Sequence, residues 1–404
     1  MIRFEWKKIF ERRLNVTAML LGYILIGVCV FVWISGASSY DGTTQICVEG
    51  IDAVLLNRQR VESQTDILSE EYLTRLIGQI QDCHLDLDSD EAYMEVIRPL
   101  GDIFWVTAKN YTDMREQIID RNSLNEIDLT GGARFYEQRM KKITDFLNMD
   151  FSFGNYREIE KAYWIEKAEA VKTPFLWGSR DVMDMVWNLT APGLYLIFVI
   201  VICVSSVFSS EYESGAAWLL FATKYGKNRL IWSKIVVSIL FTVGYMSLGI
   251  VLGLAAIGLF LGFQGANLPV QLWDSVIPYN ITAGQACAAN FAVLLLVSIA
   301  IAFVLLCCSA RMRSSLAALV IGVVLMIAPA FFPMSKESGL WNHINYLFPI
   351  RAIDLKTVLG SFVSYTVGNH VISYVEMIVI VYLAVSVIAV LLIRSGWCRQ
   401  GRKC

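Results

Sequence analysis

The chain has 404 residues, of which 56% are hydrophobic and 17% charged, with a formal net charge of −2 and a mean hydropathy of +0.52. That balance is too apolar for an ordinary soluble protein and places the chain in the membrane class. Charge is unevenly spread: positions 36–190 hold 28 acidic and 16 basic residues, and the remainder holds 8 and 18. An acidic hydrophilic lobe and a basic rim around apolar segments follow, and an acidic lobe does not favour nucleic acid.

In chain order, residues 1–13 read as an interfacial (elbow) helix. Ile2, Trp6, Ile9 and Phe10 form an apolar stripe, and Lys7, Lys8, Arg12 and Arg13 can face headgroups. Residues 14–35 contain an uncharged run of the length that crosses a bilayer, and that run is too long for a signal-peptide core. Residues 36–190 are expected to form a helical extracytoplasmic domain. Its helix faces are marked by Leu68, Tyr72, Leu76 and Ile80, by Tyr136, Met140, Ile143 and Leu147, and by Ile159 and Tyr163. Residues 191–393 carry the remaining five apolar runs, at about 191–208, 235–263, 290–309, 316–332 and 371–393, with an outer re-entrant segment at 334–370. A basic tail, 394–404, ends the chain. The expected fold class is mainly α: a polytopic membrane protein with six transmembrane helices, an N-terminal interfacial helix and a helical extracytoplasmic lobe.

Orientation follows from the short segments. The N-terminus, the 209–234 loop, the 311–313 turn and the tail are rich in Lys and Arg, whereas 264–280 has none. The positive-inside rule then puts both termini in the cytosol and the lobe outside.

Nothing reads as a catalytic centre or a metal site, and no phosphate-cradling G-x-x-x-x-G-K-[ST] is present. Cys47 and Cys83 lie in the lobe and are a candidate disulfide if it faces an oxidising space. Gly249 and Gly253, and Gly258 and Gly262, have small-xxx-small spacing. They read either as a close seam, such as a dimer interface, or as ordinary packing within one bundle. Glu376 is the one acid inside an apolar run, and reads either as a boundary residue or as an intramembrane polar site.

The stretch around which the chain is organised is 209–234, SSEYESGAAWLLFATKYGKNRLIWSK. It carries Glu211, Glu213, Gly215 and Trp218, then a basic cluster of Lys224, Lys227, Arg229 and Lys234. A short charged helix between two spans suits a partner that pushes from the cytosol, with the two acids near its start and the bases near its end. With the residue before it and the residue after it, this segment resembles the loop after the second span in the type-2 ATP-binding-cassette (ABC) permeases. Glu211, Gly215, Trp218 to Phe221, Thr223, Arg229 and Lys234 match that pattern. Lys224-Tyr225-Gly226 departs from it where the family more often has a proline-containing break. The six spans, the elbow helix and Asn345-Tyr346-Leu347-Phe348-Pro349 are similar to the family as well. The large lobe looks like the bacterial branch with an enlarged outer domain.

That resemblance implies a permease subunit of an exporter in the bacterial plasma membrane, working by alternating access beside a second permease chain, identical or not. The implied partner is a cytosolic ATPase that binds ATP and magnesium, while this chain binds no cofactor and is no enzyme itself. A peptide, antimicrobial, lipid-linked or drug-like cargo is compatible with it. The alternative is a membrane receptor whose lobe binds a ligand and signals through 209–234.

Overall fold

A computed structural model of the chain describes residues 1–41, 46–114, 116, 118–223 and 228–400. It is mainly helical, and among the described residues five helices are long and apolar enough to cross a membrane: Arg13–Ser35, Asp181–Glu213, Arg229–Leu261, Ala283–Arg311 and Tyr374–Trp397. We number these one to five. The first shows why such sequences fold this way. Met19, Gly22, Ile26 and Val30 recur at helical spacing and are buried, while Leu20, Leu21, Ile24, Val28 and Phe31 on the other side are exposed. A helix apolar all round satisfies its own backbone and needs no polar face in lipid.

The fourth long helix packs against the second, third and fifth, and Leu294, Val297 and Leu305 meet Leu196, Ile200 and Val204 in one core. A shorter apolar helix, Ser315–Ile327, continues as a 3-10 turn over Ala328–Phe331. Pro329 brings no N–H to this segment, so the α-helical ladder stops there. Ser315 sits beside Glu213. At the other end of this segment the Phe332 carbonyl accepts from Asn345 and Arg351. It therefore runs from one end of the bundle to the other.

The helix ends differ from the expected ones. The second long helix begins at Asp181 rather than 191 and runs on through Glu213, because the polar residues of its last turns find partners inside the bundle end. The fifth begins at Tyr374 rather than 371. Residues 370–373 are instead a strand, paired antiparallel with Ser364–Val367. It also continues into the expected tail, to Gln400.

Among its described residues the lobe is helical, with two small antiparallel strand pairs added. Ser38–Asp41 pairs with Ile46–Glu49. Ile67–Leu68 pairs with Phe175–Leu176, which ties the end of the lobe to its beginning. Between them the helices Glu70–Asp82 and Asp102–Tyr111 bury Leu73, Ile77, Ile103 and Phe104 against Phe135 and Phe175. Helices Phe135–Leu147 and Glu158–Glu169 cover the three-to-four-residue periodicities seen in the sequence. Ile143, Leu147 and Trp164 pack with Val276 and Phe362, so the lobe shares a core with both connections at that end of the bundle.

Candidate functional site

At the end of the bundle away from the lobe, the last turns of the second long helix form a hub. Lys234, in the third long helix, is only 1% exposed. Its ammonium donates to Glu211 Oε1 at 2.8 Å, Glu5 Oε2 at 2.9 Å and the Val207 carbonyl at 2.7 Å. Lys8 reaches Glu211 Oε1 at 2.6 Å and Glu5 Oε1 at 3.4 Å. Two cations thus face two anions, all three donor positions of the buried ammonium are used, and the cluster is neutral. Through it the N-terminal helix Ile2–Glu11 is fastened to the second and third long helices.

Glu213, two residues on, points to a different neighbour. Its oxygens accept from the Ser315 backbone N–H at 2.6 Å and the Ser315 hydroxyl at 2.9 Å. It therefore caps the short apolar helix, whose first N–H groups have no partner within the helix. Ser209 adds a hydroxyl pair with Ser315 at 2.9 Å, and the Ser309 hydroxyl accepts from the Phe208 and Ser209 backbones.

Gly215, in the left-handed region at φ 74°, turns the chain. A seven-residue helix follows, Ala216–Ala222. Its Ala217 and Phe221 are buried, and the Phe221 ring packs 4.8 Å from that of Trp397 at the end of the fifth long helix. The Trp397 ring also meets Phe208 and Tyr212. On the opposite face Trp218 is 49% and Leu219 74% exposed.

These positions correct the expected layout of 209–234. Glu211 and Glu213 close a long helix instead of opening a short one, so both are spent on interhelical contacts. Lys234, the base that the resemblance places at the entry to the next span, lies inside the third long helix and is buried there, apart from the exposed Arg229, the first residue of that helix. Lys224 and Lys227 lie outside the described residues. Glu5 was not singled out in the sequence, and Lys8 reads there only as a headgroup-facing base; the structure instead turns Lys8 to Glu211 and Glu5 to Lys234.

The other candidate positions lie apart from this hub. Gly249 and Gly253 face Leu196, Leu189 and Ile26 of the first two long helices, as packing within the bundle. Gly258 instead meets the Phe263 ring, and Gly262 ends the helix at φ 73°, so the second pair does not extend that contact. Glu376 is exposed in the first turn of the fifth long helix, where its Oε2 accepts from the Ser373 N–H and hydroxyl, both at 2.8 Å. It is a capping acid. The Cys47–Cys83 disulfide is not formed: both thiols are free and exposed. Cys47 lies on a strand beside Arg98, while Cys83 ends a helix and donates to the Gln79 carbonyl.

The lobe is held to the bundle by buried polar contacts. Arg139, 2% exposed, donates to the carbonyls of Ser275, Ala168 and Ile277 at 2.6, 3.0 and 3.2 Å. Burial lowers its pKa to about 10. Lys109 pairs with Asp274 at 2.9 Å, and Ser275 donates to the Asn110 side chain at 2.7 Å. The 264–280 connection is therefore gripped from the lobe side.

Comparison with protein-family models, with curated proteins and with solved structures finds no match.

Proposed function

We propose that the chain is a permease subunit of an ATP-driven exporter of the type-2 ABC kind, with Ala216–Ala222 as the helix on which a cytosolic ATPase seats. In this reading Ser315–Phe331 also crosses the membrane, as the fifth of six spans in chain order, both termini and the hub face the cytosol, and the lobe stands outside a bacterial plasma membrane. ATP and magnesium are held by the partner, a second permease chain completes the pathway, and a peptide, lipid-linked or drug-like cargo is exported.

One observation supports this reading above the others: the two-sidedness of the seven-residue helix. Its buried face is keyed to Trp397, and the adjoining hub joins the N-terminal helix to the ends of four further helices. Its outward face offers Trp218 and Leu219, an aromatic and an aliphatic anchor of the kind that dominates binding energy at interfaces. A push on that face would be delivered to the whole bundle end, because close-packed elements move as rigid bodies.

Leu219→Asp with Trp218→Ala tests it in membranes that contain the cognate ATPase. The expected result is loss of ATPase co-purification, or at least about a tenfold fall in stimulated hydrolysis, with the bundle still folded. An unaltered partner and unaltered hydrolysis would remove the assignment.

A further inference from the structure

At the lobe-side end of the bundle a cavity of about 410 Å³ lies where the first long helix, the second long helix and the lobe helix Ile51–Gln64 meet. Its lining is divided. Val32, Trp33, Ala37 and Met185 supply an apolar wall, and Asn57 and Asp181 a polar one. Trp33 belongs to the last turn of its helix, the level at which indole rings settle at a membrane boundary. The apolar wall therefore adjoins the hydrocarbon and the polar wall adjoins the lobe.

The two acids of this region differ in their partners. Asp184 is paired with Lys356 at 2.8 Å and Arg180 at 3.6 Å. Asp181 accepts from Asn57 Nδ2 at 2.5 Å and Ser179 Oγ at 3.2 Å, both neutral donors, and takes part in no ion pair among the described residues. A carboxylate with neutral partners, partly buried beside an apolar wall, attracts a cation more strongly than the same group in solution. Tryptophan and aliphatic side chains on the other wall suit a hydrocarbon chain.

We propose that this cavity binds an amphiphile with a protonated amine head, the ammonium on Asp181 and the tail along Val32, Trp33 and Met185. Such a molecule can come from the bilayer as an aminophospholipid or from solution as a single-chain amine. The site needs only that the long helices stand in a membrane. It does not need the partner ATPase, so its failure would leave the exporter reading untouched.

The test uses the full chain in phosphatidylcholine nanodiscs, with bromododecylamine as probe and bromododecanol as the uncharged control. The signal is the tryptophan quenching that disappears in Trp33→Phe. Saturable quenching by the amine at about tenfold lower concentration than by the alcohol is expected, and Asp181→Asn should abolish that difference. Ala37→Phe, which fills the cavity and keeps the acid, should weaken both probes, and guards against a folding defect in Asp181→Asn. Equal quenching by amine and alcohol, or an Asp181→Asn chain that still prefers the amine, overturns the proposal and leaves an apolar lipid crevice only. Doping in phosphatidylethanolamine separates the sources: competition with bromododecylamine identifies a bilayer lipid, and saturable amine binding without competition identifies the soluble amphiphile.

Discussion

The Nζ of Lys234 lies 2.8 Å from Oε1 of Glu211, and both side chains are withdrawn from solvent at the junction of three helices. Neither charge is tolerable alone there. An ion taken from water into a protein interior loses several kcal/mol of solvation, which is recovered only by good geometry and further hydrogen bonds. Here Glu5, Lys8 and the Val207 carbonyl supply them. Lys234→Met should therefore cost about 3–5 kcal/mol, since it leaves Glu5 and Glu211 facing Lys8 alone. Lys234→Met combined with Glu211→Leu leaves the neutral Glu5–Lys8 pair, and should recover most of that loss. Thermal unfolding of the purified chain in detergent reads both. A double variant no more stable than Lys234→Met would show that the two residues do not act as a pair.

Glu213 makes a separate claim, on the short apolar helix. A carboxylate that accepts from a helix's first N–H compensates an orphan donor and also favours the positive end of the helix dipole. Glu213→Ala should loosen Ser315–Ala318 by about 1 kcal/mol, which raises amide exchange there by roughly fivefold. Hydrogen–deuterium exchange with peptide-level readout measures it. Because Glu213 is exposed, global stability should move far less than in the Lys234 variant. Unchanged exchange at 315–318 would show that the cap is dispensable.

What could be read from the chain alone divides along a physical line. The long apolar helices were legible because an uncharged run of about 20 residues has few alternatives to crossing a bilayer. The lobe helices were legible from their periodicity. The helix ends were not, because they are set by residues far away in sequence. Lys234 reads as one base among several beside a loop, and only Glu5, 229 positions earlier, makes it a core residue. Ser209 to Glu213 read as the start of a loop, yet Ser309, Ser315 and Lys234 let the helix continue. Glu376 was decidable locally: Ser373-x-x-Glu376 has the spacing of a capping box, and that signal outweighs the apolar run around it. The strands at 364–373 lie in a stretch too short for alternation to stand out.

Lys142 gives a prediction with a definite sign. It is 9% exposed, donates to the Lys109 carbonyl at 2.5 Å, and has Asp274, Asp113 and Lys109 as its charged neighbours. Burial pushes its pKa down to about 8, the two aspartates acting in the opposite direction and Lys109 with it. A lysine in the unfolded chain holds its proton to about pH 10.4. Between these values the unfolded chain binds more protons than the folded one, so this residue's contribution to stability rises with pH across that window. Below pH 8 both states are protonated, and the cost of burying the ammonium, about 3 kcal/mol, is fully present. Lys142→Met removes that cost and forfeits about 1 kcal/mol with the hydrogen bond to Lys109. The variant should therefore melt higher than the parent at pH 7.5, and its advantage should shrink steadily towards pH 10. Melting the two chains side by side in detergent at pH 7.5, 8.5 and 9.5 measures that difference and cancels every other titrating group. An advantage that stays constant with pH would mean that the ammonium is not desolvated in the folded lobe.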